Sequence, residues 1–379
     1  MKGRATVRIS GFVLAMVVGG AGLLWPQAAV VDAKAQAAAA AASLPAKLSD
    51  ADFWKLTAAI SEPGGYFQIV DNFTSNEGEI ATLMSTITSR GLSGGVYIGV
   101  GPEQNFSYIA ALKPAMAFVI DIRRQAVVQH LMFKAMMEMS KDRADFLSLL
   151  FARPRPKAVT ASTPIQEMWT AYFAVLTEPA LAVSVHDRVV ERLEKTHGFT
   201  LTADERTQLD GVLGAFVQYG PGITTRGTFN GRGGGGNNFT FADLTGWAID
   251  GTGVPQSFLS TDEHFQTVKA LEDKNLVVAV SGDFGGPKAL RAIGQYVRDH
   301  GSTVTAFYLS NVEQYLFQDG KQQAFYDNVG TLPVTERSVF IRPYALRRGS
   351  SPGLCGITTF LKNVQAGRVP TYNDSMNCQ

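Results

Sequence analysis

Histidine and cysteine are scarce in this 379-residue chain, with five and two copies. His130, His186, His197, His264 and His300 stand far apart and never at a His-x-x-x-His spacing, so no metal site is expected. Cys355 and Cys378 both lie near the C-terminus with no histidine close by in sequence, which argues against a catalytic cysteine. In an exported chain the two could pair, closing a loop of about two dozen residues worth roughly 3 kcal/mol in the chain-entropy account; two free thiols are the alternative. An excess of charge of one sign is also missing. The formal net charge is +1, and the lysines and arginines are scattered, so no nucleic-acid surface is expected. The Gly-Lys-Ser/Thr ending of a phosphate-binding loop and the Gly-x-Ser-x-Gly elbow of hydrolases are both absent.

Long apolar runs are missing too, except at the very start. Lys2, Arg4 and Arg8 precede an apolar stretch from Ile9 to Trp25, then Pro26 and the small residues around Ala33-Lys34-Ala35. This is the pattern of a secretory signal, so we expect a signal peptide over 1–35, an alanine-rich linker over 36–46, and an exported protein, periplasmic or secreted. An inner-membrane anchor is the alternative, since the run is near the lower limit for a span, though Gly19, Gly20 and Gly22 weaken a permanent helix. Membrane contact is expected only through this leader, if it is retained.

The whole chain is 45% hydrophobic and 18% charged, ordinary globular material. Ser49 opens a helix carrying Phe53, Leu56 and Ile60 on one face, and a second helix ends at Gly91. Then come a short buried strand (Gly95–Val100), a helix (Phe106–Leu112), a strand (Met116–Ile122) and a long helix (Arg124–Met139). From about 141 to 258 the pattern is mostly helical, with a capped start at Thr202–Glu205. Alternation returns with strands at Leu276–Ser281, Thr303–Leu309 and Ser338–Arg342 and helices between them. This rhythm predicts an α/β fold, a doubly wound parallel sheet over 47–345 with a helical insertion, followed by a tail over 346–379. The run Gly231–Asn238 reads as a mobile loop or an anion-binding nest.

Gly94–Asn105, GGVYIGVGPEQN, followed by AFVIDIRR at Ala117–Arg124, places a glycine turn after one strand and an acid at the end of the next. Gly99 and Gly101 allow close backbone approach, the helix opening near Asn105 offers unpaired N–H groups, and Asp121 is placed to accept ribose hydroxyls. The alternative is a tight turn with a surface acid. VSGDFGGP at Val280–Pro287 makes Asp283 a candidate catalytic group and Phe284 a candidate flank for a planar ligand, unless Asp283 only caps the next helix. YLSNVEQY at Tyr308–Tyr315 adds Asn311 and Glu313, again unless Ser310 or Asn311 is a cap. Asp283 and Glu313 as paired carboxylates would suit a hydrolase. Tyr66, Asn76 and Glu77, in the polar and aromatic stretch Tyr66–Glu77, are candidate substrate contacts. Asn72-Phe73-Thr74 and Asn238-Phe239-Thr240 match the glycosylation pattern.

Gly94–Arg124 is similar to the core of a bacterial family with an S-adenosylmethionine methyltransferase-like fold. Tyr66–Glu77, Tyr219–Ile223 (YGPGI), Phe241–Leu244 (FADL) and Leu276–Phe317 resemble it too, so the likeness runs from about Ile60 to Phe340. The resemblance implies a class I methyltransferase-like sheet with S-adenosylmethionine as cofactor. Gly99 and Gly101 would then line that cofactor, Asp121 would hold its hydroxyls, and Asp283 and Phe284 would sit on the acceptor side. Two departures stand out. SGDFGG is not the Asn/Asp-Pro-Pro-Tyr form of amino-group methylation, and Tyr97 and Ile98 stand where an acid usually precedes the glycine loop. The second function that the sequence allows is a non-enzymatic, exported protein binding a small molecule or peptide in the same crevice.

Overall fold

Runs of β-branched and aromatic residues become strands here, and the three on one side of the sheet are covered on both faces. The computed structural model describes residues 43–69, 71–227, 239–246, 248–250, 253–343, 345 and 353–377. The expected signal peptide, most of the alanine linker, the run Gly231–Asn238 and Cys378 lie outside the described residues. Val96–Gly99 (β1), Met116–Asp121 (β2) and Val277–Ser281 (β3) are buried at every position. That is the signature of parallel strands packed on both sides. Val304–Tyr308 (β4), Val334–Ile341 (β5) and Leu354–Gly356 (β6) complete a sheet of order β3-β2-β1-β4-β5-β6. All neighbours are parallel except β6, which runs antiparallel to β5, pairing Val339 with Gly356 and Ile341 with Leu354. An antiparallel edge on a parallel sheet is common in such folds. The expected tail is therefore partly sheet, and β5 begins four residues before the predicted strand.

The first helices lie before the sheet: Asp50–Ile60 (α1) and Ile80–Ser89 (α2). Ser49 caps α1 by accepting from the Asp52 N–H at 3.1 Å, which satisfies one of the helix's unpaired donors. Gln104–Leu112 (α3) links β1 to β2, and Arg124–Met139 (α4) follows β2. Every residue of α4 from Ala126 to Met137 is buried. A helix buried all round must have neighbours on all sides, and α4 touches β2 and β3 as well as the helices that follow it.

Those helices are Arg143–Phe151 (α5), Ile165–Phe173 (α6), Pro179–Glu191 (α7), Ala203–Tyr219 (α8) and Phe241–Gly246 (α9). Thr202 and Glu205 form the full reciprocal capping box at the start of α8. Phe133 of α4 meets Phe146 and Phe216 edge-on or tilted, and Phe151, Trp169 and Phe241 extend the aromatic layer. Edge-to-face contacts of this kind add to plain area burial. The helical stretch is thus fused to the sheet by shared aromatics. Consistent with this, the chain divides only into Met1–Ala41 and Ala42–Gln379, with sheet and helices in the second unit.

Asp262–Glu272 (α10) leads into β3, Ala289–Asp299 (α11) connects β3 to β4, and Val312–Gln318 (α12) and Gln322–Val329 (α13) connect β4 to β5. Ile357–Gln365 (α14) returns onto β5. Near that corner Arg342 is wholly buried, donating from Nε and Nη2 to Glu313 at 2.7 and 2.8 Å, with its guanidinium 4.5 Å from Phe340 and 4.2 Å from Phe360. Cys355 is disulfide-bonded and buried. Among the described residues no helix is long and apolar enough to cross a membrane.

Candidate functional site

In the register, Gly99 is level with Val119, Asp121 with Ser281, and Ile98 with Phe307. The loops leaving β1, β2, β3 and β4 therefore emerge along one edge. Between β1 and β4 the strand order reverses, which is where open α/β sheets bind ligands. A cleft opens there, about 1130 Å³ with its solvent-filled mouth included. Gly101 and Pro102, Asp121 and Arg123, Asp283 and Phe284, and Ser310 and Asn311 line it, one pair from each loop.

The glycine turn is built from within. Gly101 has a φ of +77°, a conformation suited to glycine, and lines the cleft. Asn105 does not line it. Wholly buried, its Nδ2 donates to the carbonyls of Val100, Gly101 and Pro102 at 3.0, 3.1 and 2.7 Å, while its Oδ1 accepts from the Tyr97 hydroxyl at 2.8 Å. Gly99 is a glycine because a Cβ there would strike the Asn105 and Tyr97 side chains. Gly99 and Asn105, expected to touch a cofactor, instead shape the turn from behind. His130 of α4 holds the same turn from another side, its Nε2 donating to the Gly101 carbonyl at 2.9 Å. Burial pushes the His130 pKa down, so this imidazole is neutral at physiological pH.

Asp121 sits at the end of β2 as expected, but its carboxylate is already engaged. Oδ1 accepts from the Arg123 backbone N–H at 2.9 Å and from Arg123 Nε at 3.0 Å, and Oδ2 accepts from Arg123 Nη2 at 2.8 Å. Both side chains are about nine-tenths buried. A carboxylate has about four acceptor positions, so one remains. Asp121 as it stands can take a single hydroxyl, not a ribose pair.

The loops after β3 and β4 divide the remaining candidates. Asp283 lies on the rim, accepting from Gly285 N–H at 2.9 Å and from Lys321 Nζ at 2.7 Å. Phe284 is part of the core, stacked on Phe325 at 5.5 Å and edge-on to Phe307 at 5.0 Å, so it closes the floor and leaves no open face for a planar guest. β3 is at the sheet's edge, which puts this loop beyond Asp121, away from the reversal point. The loop next to the glycine turn is the one after β4. There Ser310 takes a φ of +49°, unusual for a side chain with a Cβ. Its hydroxyl donates to Glu77 at 2.6 Å, and Tyr308 donates to the same carboxylate at 2.7 Å. Asn311 faces the cleft, and among the described residues its amide nitrogen has no protein partner. Glu313 does not line the cleft, being engaged by Arg342 and by the Tyr326 hydroxyl at 3.1 Å. Paired catalysis by Asp283 and Glu313 has no support in this arrangement.

The segment between α1 and α2 forms the remaining wall. Glu62 N–H donates to Ser281 and Gly65 N–H to Ile122, at 2.8 and 2.7 Å. The Glu62 carboxylate accepts from the N–H groups of Asp283, Lys288 and Ala289, capping α11. Tyr66 stands on the rim with 83% of its surface exposed, and Asn76 lines the cleft beside it. Glu77 is buried behind Ser310 and does not reach the cleft. Ser75 N–H is held by both oxygens of Glu103 at 3.1 Å. Burial raises the Glu103 carboxyl to about 7.

Sequence reasoning overlooked Asn72, Arg123, Thr225, Ser310 and Tyr315, which also line the cleft. The Asp-Ile-Arg spacing alone carried a signal for Arg123. Asn72 had drawn attention only as a glycosylation pattern. No curated protein matches the chain. A family profile described as a domain of unknown function, DUF7790, matches residues 72–200 and 247–368, segments that contain the glycine turn, Asp121, Asp283 and Asn311. The chain belongs to the DUF7790 family.

Proposed function

We propose that this is a methyltransferase-like domain whose cleft binds S-adenosylmethionine or a related adenosine ligand. The observation that carries the reading is the meeting of Gly101 and Asp121 in one cleft at the reversal of strand order. The open amide of Asn311, next to the glycine turn, is the group best placed to contact a methyl acceptor. Titration calorimetry with S-adenosylmethionine and its demethylated product is the test. Saturable heat at micromolar to millimolar ligand is expected. No heat and no thermal shift at millimolar concentration overturns the reading.

A second reading, a binding protein without catalysis, is favoured by the ion pairs at Asp283 and Glu313. Neither carboxylate is available as a base while its partner is in place. The second reading predicts ligand binding without turnover, checked by incubating the protein with labelled S-adenosylmethionine and cell extract. If the protein is also exported, as its leader leads us to expect, a ligand retained from the periplasm should appear by mass spectrometry of the purified protein.

A further inference from the structure

Arg123 is a buried cation in the wall of the cleft whose hydrogen bonds are only partly used. A guanidinium has five N–H groups. Nε and Nη2 donate to Asp121, and Nη1 donates to the Ile69 carbonyl at 3.3 Å. Two N–H groups, one on each terminal nitrogen, therefore have no protein partner among the described residues. Its Nε–Nη2 edge is the one that Asp121 grips, which leaves one spare N–H on Nη2 and one on Nη1. Phe67, itself on the cleft wall, lies 5.9 Å from the guanidinium and restricts its swing.

We propose that Arg123 receives an oxyanion carried on the sugar side of the ligand, a phosphate or a carboxylate, and that Asp121 is a positioning residue for that arginine. This rests on the adenosine reading above and deepens it. A paired, half-immobilised guanidinium that keeps two N–H donors is suited to a further charged oxygen, and charge-assisted hydrogen bonds are among the strongest in proteins. Arg123 stands just past the end of β2, the position from which related sheets reach ribose hydroxyls or a ribose phosphate. Since Asp121 already balances the arginine's charge, recognition here comes from directional bonds at short range. Its salt dependence should accordingly be shallow.

The experiment compares adenosine, adenosine 2′-monophosphate, S-adenosylhomocysteine and inorganic phosphate by calorimetry on the wild-type chain and on Arg123→Gln. The 2′-phosphate should bind the wild type about tenfold more tightly than adenosine, and that ratio should fall to about one in Arg123→Gln, whatever the change in adenosine binding itself. If S-adenosylhomocysteine alone shows the Arg123-dependent gain, the oxyanion is the amino-acid carboxylate on the 5′ side, and the sugar-side placement is overturned. Equal affinity of adenosine and its 2′-phosphate for the wild type, or a gain that survives Arg123→Gln, overturns the inference and leaves the adenosine reading standing. Arg123-dependent phosphate binding without adenosine binding overturns the adenosine reading and keeps the anion site. No binding by any probe overturns both. Should Arg123→Gln destabilise the chain by stranding Asp121, Arg123→Lys keeps a positive charge beside Asp121 without the planar guanidinium, and the ratio of the two affinities should again fall toward one.

Discussion

Glu103 gives the cleft wall a measurable pH response. Its carboxyl is fully buried and its pKa stands at about 7, burial being the main cause, with the Ser75 N–H pulling the other way. The unfolded chain titrates it near the ordinary value of 4.5. The folded state therefore holds the proton more tightly, and Glu103 favours folding most when both states are protonated. That contribution fades as pH rises from about 4.5 through about 7, and is gone above. A gap of some two and a half pKa units corresponds to roughly 3 kcal/mol. Urea unfolding of the wild type and of Glu103→Gln at several pH values between 4.5 and 8 isolates it. Glutamine keeps an acceptor for Ser75 and does not titrate, so contributions from Glu272, His197 and other shared groups cancel in the difference. The stability of Glu103→Gln relative to wild type should rise by roughly 3 kcal/mol across this range. A flat difference would mean that the carboxyl is hydrated or ionised at no cost, and would refute the account.

Two further substitutions test the scaffold. Asn105→Ala removes three donor–acceptor contacts to the turn and leaves the Tyr97 hydroxyl without its acceptor, so a loss of about 2–4 kcal/mol in chemical denaturation is expected. A loss below about 1 kcal/mol would show that the turn holds itself. Glu313→Ala strands the buried Arg342 and should cost about 3–5 kcal/mol. If stability is kept and only turnover falls, Glu313 is a functional group after all.

Much of the frame was legible because strands buried on both faces read as apolar runs, and because caps such as Ser49 and Thr202 are local signals. The glycine turn and Asp121 were legible for the same reason: a strand, a turn and a strand lie close in sequence. What escaped depended on contacts across long separations. The grip of Arg123 on Asp121 needs the chain to bend back at the strand's end, which spacing does not specify. Glu313 stands on a short helix and is held by Arg342, which lies just past a later strand. Leu354–Gly356 is too short to announce a strand. The helical stretch between β2 and β3 hid the fact that Asp283 follows an edge strand rather than the one beside the glycine turn.

The tie between Glu62 and the start of α11 spans 226 residues of chain, and the bond from Glu62 N–H to Ser281 is nearly as distant in sequence. One wall of the cleft is thus locked in place by segments made long after it. Such distant closures come late in folding, since the loop entropy must be overcome before the contact returns anything. A chain emerging from the ribosome has its glycine turn and Asp121 early, yet no closed cleft until β3 and α11 have been added. The closed cleft is therefore a property of the completed chain. Fragments ending before residue 281 should leave a ligand unbound, however well their own helices form.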